Sequence, residues 1–190
     1  MLRNIVFGLL LSLGILHAQN EISANINEDS YEVGVDAYLN DYYMLNDNSK
    51  YFFGLHLLGT DKEISDKKLW SADLKVTNHS ANSKGFNYGL GLTAIFADTT
   101  INDLSALAFG AICKYEISDH LNLNASYYYS PKVLTYMDGK NFQELRTDLN
   151  FEVVNNAFAS VGYRIIKTEF KNVESDSFDE SVYMGLKFKF

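Results

Sequence analysis

The chain has 190 residues, with 24 acidic side chains against 16 basic ones and a formal net charge of −8. That balance argues against nucleic acid as a partner, and the single cysteine, Cys113, leaves no intramolecular disulfide and no cysteine spacing of a metal site. One proline, with 13 Tyr and 13 Phe, fits a chain made mostly of strands.

The amino terminus reads MLRNIVFGLLLSLGILHAQN. Arg3 supplies a positive n-region, and Ile5 to Leu16 is an apolar core of signal-peptide length, too short to span a membrane as a helix. Leu16-His17-Ala18 before Gln19 is a cleavage site, so residues 1–18 are expected to be a cleaved signal peptide and 19–190 the mature chain. An uncleaved anchor is the alternative. No Cys follows the cut, which argues against lipoprotein processing. Loss of Arg3 leaves 15 basic side chains against 24 acidic, a net −9. Beyond the signal no apolar run approaches the length of a membrane-spanning helix.

The mature chain alternates. Glu21–Asn27 places Ile22, Ala24 and Ile26 on one face, though it is short. Tyr31–Leu39 sets Tyr31, Val33, Val35 and Ala37 against Glu32, Gly34, Asp36 and Tyr38. Tyr51–Gly59, Leu69–Thr77 and Phe86–Phe96 repeat the pattern, with Trp70, Leu74, Leu90 and Phe96 among the apolar positions. Ser105–Ile117 and Leu121–Tyr129 turn Cys113 and Tyr127 to the apolar side, with Lys114 and Asn124 opposite. Phe142–Val153 carries Glu144, Arg146, Asp148, Asn150 and Glu152 on one face. Ala157–Ile165 puts Ser160, Gly162 and Arg164 opposite an apolar row. Glu180–Phe190 alternates strictly, Val182, Met184, Leu186, Phe188 and Phe190 against Ser181, Tyr183, Gly185, Lys187 and Lys189. Period-two alternation at about 9–11 residues per segment is what a tilted strand crossing a bilayer requires.

Tight turns at Ser118-Asp119 and Asn155-Asn156 alternate with longer polar connections at Asp98–Asp103, Pro131–Asn141 and Thr168–Asp179. Short turns on one side and long loops on the other mark a transmembrane antiparallel up-and-down β-barrel, all-β in class. Nine segments count as strands, and because single-chain barrels have even strand numbers Glu21–Asn27 is taken as a tenth, with eight as the alternative; the weak point is Asn40–Ser49, long for a turn. A soluble barrel or sandwich is the competing architecture.

The last strand, closing on an aromatic residue, resembles the terminal strand of bacterial outer-membrane barrels. That resemblance implies that Phe188 and Phe190 act as an assembly signal for the barrel-assembly machinery. It also implies that the chain ends on the periplasmic side, with the long loops extracellular. SYYYSP (Ser126–Pro131), VGYRII (Val161–Ile166) and the glycine-alternating YGLGL (Tyr88–Leu92) resemble the YfaZ family, most closely from about Ala111 to Lys167. The resemblance implies a cell outer-membrane barrel in contact with outer-membrane lipid and lipopolysaccharide. It carries over no catalytic residue and no cofactor.

Four constellations bear on function. The inward charges Glu144, Arg146, Asp148 and Glu152, with Arg164, Lys187 and Lys189, form either a selective charged constriction or a network of paired charges filling a narrow interior. Ten strands lie near the filled end of the barrel range, which favours a charge-plugged or very narrow lumen and a non-enzymatic role over a small-solute channel. Asn78-His79-Ser80-Ala81-Asn82 resembles the site of outer-membrane lipid A deacylases, whose strand carries His and Ser with one residue between them, but here His79 and Ser80 are adjacent. Adjacent strand residues point to opposite faces, so a lipid hydrolase is a distant alternative. Glu169, Glu174, Asp176, Asp179 and Glu180 are expected in a solvated acidic loop without calcium-loop spacing. Tyr51, Trp70, Phe86, Phe96, Tyr115, Tyr127, Tyr129, Tyr163, Phe188 and Phe190 are expected as interfacial anchors, and Cys113 as a small apolar residue facing lipid.

Overall fold

A computed structural model describes residues 20–39, 49–62, 65–78, 85–99, 102–171 and 176–190, apart from the side chains of 61–62, 65–66 and 176–177. The chain runs β1 (Glu21–Ile26), β2 (Ser30–Tyr38), β3 (Ser49–Lys62), β4 (Ser65–Asn78), β5 (Phe86–Asp98), β6 (Asp103–Ser118) and β7 (Leu121–Ser130). A 3-10 turn (Lys132–Leu134) and a short β8 (Thr135–Met137) come next, then β9 (Gly139–Val154), β10 (Ala157–Phe170) and β11 (Asp176–Lys189). Every neighbouring pair is antiparallel, and β1 pairs with β11 from Glu21↔Lys189 to Ile26↔Met184, so the sheet closes. The seam is finished by Asn20 N–H to the Phe190 carbonyl (3.1 Å) and Phe190 N–H to the Asn20 carbonyl (3.0 Å). Ten strands are the staves of the barrel; β8 is the extra piece.

Closure explains how so polar a chain spans lipid. Every stave has two hydrogen-bonding neighbours among the described residues, so none of them is an edge strand. Side chains then sort by parity. The alternate apolar residues stand on the outer wall, and Ile26, Trp70, Leu90, Phe109, Val182 and Met184 are all exposed there. Trp70 pairs directly with Phe96, and Phe86 with Tyr115, toward opposite ends of the wall.

Several stretches expected as loops are strand. β3 reaches Lys62 and β4 begins at Ser65, pairing Thr60↔Lys67 through Lys62↔Ser65. β10 and β11 likewise consume most of Thr168–Asp179. Backbone pairing continues past the point where side-chain alternation stops, because a ladder already aligned adds each further pair at little entropic cost. β7 breaks at Pro131, which has no N–H for the ladder. The chain makes one turn of 3-10 helix that leaves Val133 on the surface and rejoins β6 through Ala106↔Thr135 to Leu104↔Met137. The Asn155-Asn156 turn places Asn156 at φ 67°, a left-handed position that Asn tolerates, followed by a bulge at Ala157.

The inward face divides along the barrel axis. Toward the end remote from the termini it is apolar. Leu58, Leu69, Ile95, Leu104, Phe142 and Ile166 are buried together there, with Ala97, Ala106, Ala108, Phe170 and Phe178. This is a core inside a barrel, an apolar layer that the inward charges of the sequence do not predict. Phe142 is wholly enclosed. Phe142→Ala is expected to destabilise the folded protein by about 3–5 kcal/mol, the cost of an aromatic cavity, measured as a fall in the urea midpoint in detergent. An unchanged midpoint would show that this region is loosely filled.

Candidate functional site in the barrel lumen

Below the apolar layer the lumen opens into a cavity of about 470 Å³. It runs from Lys50 and Lys189 near the end that carries the termini to Leu58, Leu69 and Ile166 at its depth. Nine staves contribute polar side chains and β10 contributes Ile166, so its lining is largely charged and amide-rich.

One cluster crosses the lumen. Glu32 on β2 faces Arg146 on β9 and Arg164 on β10, several staves away around the wall. Arg146 donates to both oxygens of Glu32 at 2.8 Å, a bidentate pair, and to Glu144 at 2.9 Å. Arg164 donates from Nη1 to Glu32 (2.8 Å), from Nε to Asp179 (2.7 Å) and from Nη2 to Ser30 (3.1 Å). Asn25 adds a donor to Glu32 at 2.9 Å. Arg146 and Arg164 are cross-strand neighbours, and like charges so placed repel; Glu32 between them makes the arrangement tolerable. The Tyr183 ring lies 5.3 Å from the Arg164 guanidinium and 6.0 Å from that of Arg146, adding cation–π attraction.

A second cluster lies on the β2–β3–β4 wall. Lys75 donates to Asp36 at 2.9 Å and stands 3.8 Å from Asp73. His56 Nε2 is 3.1 Å from Asp73 and 3.7 Å from Asp36. Thr93 donates to Asp73. The imidazole lies flat because its neighbours are Gly34 and Gly54: a Cβ at Gly34 would overlap the ring, and one at Gly54 would come within 2.9 Å of it. Tyr128 lies in the same way across Gly91 and Gly110. Lys75 already supplies the cation between the two carboxylates, and no group of three metal-ligating side chains converges among the described residues.

Of the residues expected in the lumen network, Glu144, Arg146 and Arg164 are brought into one cluster. Asp148 and Lys187 form a separate, looser pair at 3.5 Å, and Asp148 also accepts from Tyr183. Glu152 stands apart: it accepts the Asn156 N–H at 3.2 Å and lies 3.2 Å from His120, tying down a turn at the rim instead of filling the lumen. Asp179 is a further correction. Expected in a solvated loop, it is buried against Arg164, because β11 begins earlier than alternation suggests. Glu180 accepts from Tyr163 at 2.9 Å and Glu169 pairs with Lys140 at 3.1 Å. His79, Ser80, Ala81, Asn82 and Glu174 lie outside the described residues, and so does most of Asn40–Ser49.

Cys113 is on the outward face, paired with Tyr88 and Ala125. Phe188 is exposed on the outer wall beside Ile22 and Ala157, and Phe190 is anchored by its backbone to Asn20. Glu32 and His56 escaped the sequence reading as site residues. The signal was present for both: Glu32 shares a parity with Asp36, and His56 shares one with Gly54 and Leu58, opposite Leu55 and Leu57.

Removing Glu32 would leave two neighbouring guanidiniums without their shared carboxylate. Glu32→Ala is expected to cost about 3–5 kcal/mol of stability, as for other buried pairs broken on one side. Glu152→Ala at the rim is expected to leave the urea midpoint unchanged. Equal shifts in both variants would show that the crossing is solvated.

The model of a family described as YfaZ precursor matches residues 61–190. No curated protein sequence matches this chain. Among solved structures, the NanC porin superposes with a TM-score of 0.50 at 8% identity, over 90% of this chain and 100% of that one. The outer membrane channel DcaP of Acinetobacter baumannii gives 0.48 at 11% identity over 88% of this chain, which spans about half, 54%, of DcaP. The KdgM porin gives 0.43 at 8%, over 90% of this chain and 99% of that one. At such identities the likeness concerns the fold. The match over residues 61–190 covers more than half of the sequence, and the chain belongs to the YfaZ family.

Proposed function

We propose that this protein is a non-enzymatic component of the outer membrane, a barrel closed to through-flow. The observation that carries this reading is the apolar layer of Leu58, Leu69, Ile95, Leu104, Phe142 and Ile166 across the lumen. Water and ions do not cross a packed apolar constriction without dewetting cost. The Glu32–Arg146–Arg164 crossing backs it with paired charge. Export through the signal peptide, insertion by the barrel-assembly machinery through Phe188 and Phe190, and lipid and lipopolysaccharide contact along the outer wall complete the reading. The exposed apolar belt and the aromatic terminal strand support it.

A small-solute channel is the second reading, favoured by the cavity of about 470 Å³ on the other side of the layer. Conductance separates the two. The folded protein in a planar bilayer is expected to show no steady current, and Phe142→Ala with Ile166→Ala is expected to leak. A steady ohmic current from the unaltered protein would overturn the closed-barrel reading in favour of the channel.

Orientation has its own test. The termini and tight turns are assigned to the periplasm. A protease-cleavable tag after Val133 is then expected to be cut on intact cells. A tag between Asn155 and Asn156 is expected to be cut only after the outer membrane is opened. The reverse pattern would invert the assignment.

A further inference from the structure

At the mouth of the lumen a recess of about 130 Å³ opens beside the main cavity, sharing Glu21, Lys114, Asn124, Lys187 and Lys189 with it. Lys114 comes from β6, Asn122 and Asn124 from β7, Asn150 from β9, and Lys187 and Lys189 from β11. Three ammonium groups face one carboxylate of the recess, Glu21. The recess lining thus carries three cations against one anion, with Asp148 and Glu116 pairing two of the lysines from outside it, in a chain whose net charge is −8.

The lysines are held loosely. Lys189 is 4.0 Å from Glu21 and Lys187 is 3.5 Å from Asp148, against 2.8 Å for the pairs deeper in the lumen. Lys114 lies 3.0 Å from Glu116, both of them solvent-accessible, a pairing of little net worth. The Lys189 ammonium also stands 4.8 Å above the Phe158 ring, which fixes it at the wall.

The amides show a second feature. Asn150 donates to the Asn122 carbonyl at 3.2 Å, yet its own Oδ1 has no partner and is shut from solvent. Asn124 Oδ1 is in the same state. A buried acceptor left unpaired costs free energy that a suitable O–H would recover. Ammonium donors for an acid group beside unpaired acceptors for hydroxyls define a ligand by its chemistry.

We propose that this recess binds a small hydroxylated anion. Its acid group would be held by Lys114, Lys187 and Lys189, and its hydroxyls by Asn124 and Asn150 once their carboxamides turn to present the enclosed oxygens to the recess. The chain of the ligand extends into the larger cavity, whose volume falls in the range of about 300–1,000 Å³ typical of small-molecule sites. The site is reached from the end that carries the termini, so it functions whether or not the lumen conducts.

The test is equilibrium dialysis of the full-length folded protein in detergent micelles at low salt, with four radiolabelled probes. Gluconate and glucose 6-phosphate carry both features, hexanoate only the acid and glucose only the hydroxyls. Retention of gluconate, of glucose 6-phosphate or of both above the two controls supports the proposal. Which of them is retained tells whether the acid group is a carboxylate or a phosphate. Lys187→Gln is expected to weaken that retention roughly tenfold, the loss of one charge-assisted hydrogen bond. Lys114→Gln, on an accessible side chain, is expected to do the same and decides the matter if Lys187→Gln fails to fold. Lys140→Gln, an equal change of charge toward the other end, is expected to leave binding unchanged. The proposal is overturned by hexanoate or glucose binding as well as the hydroxylated anions. It is equally overturned by retention that survives the lysine changes, or by no retention of any probe.

Discussion

The carboxylate of Glu32 reaches across the lumen and holds two arginines that would otherwise repel. Arg146 and Arg164 sit side by side on β9 and β10; Glu144 on β9 accepts from Arg146, whereas Glu32 accepts from both. Glu32 comes from β2, so the interaction ties the early staves to the late ones through the interior. The β1–β11 seam does the same through the backbone. Arg164 uses Nε, Nη1 and Nη2 on three different residues. Such hydrogen bonding is what makes a buried ionic cluster tolerable, since desolvation is otherwise the larger effect.

Around this crossing the lumen has two solvents. On one side apolar side chains pack as a small core, and on the other amides and charges surround open volume. A barrel of this size has room for side chains to fill it, and here only one end is filled that way. The wall that bears the His56 cluster belongs to the open part. There Gly34 and Gly54 let a ring and two carboxylates share the space of ordinary side chains. The result is a cavity with lysines at its mouth and apolar side chains at its depth.

This arrangement relates the closed-barrel reading to the site at the mouth. A sealed lumen and a binding recess are compatible, because the recess lies on the accessible side of the apolar layer. The outer wall is a separate surface with its own solvent. Its alternation of exposed Val182, Met184, Leu186 and Phe188 with inward Tyr183 and Lys187 is the same period-two rule read from lipid.

The amino-acid sequence by itself determined nine staves and their two faces, because side-chain parity is a local property of an extended backbone, and the even strand number of such barrels added Glu21–Asn27 as the tenth. Glu144, Arg146 and Arg164 were legible as inward charges for the same reason. Parity does not say how high on the wall a residue sits, or which residue faces it across the barrel. Those depend on strand register and tilt, which are set only when the sheet closes. Hence Glu32 became the centre of the network, Asp179 moved from an expected loop to a buried ion pair, and Glu152 went to the rim. Hence also Leu58, Ile95, Phe142 and Ile166, scattered over β3, β5, β9 and β10, met in one layer. Closure of the sheet decided what fills the lumen, since only closure brings staves distant in sequence face to face.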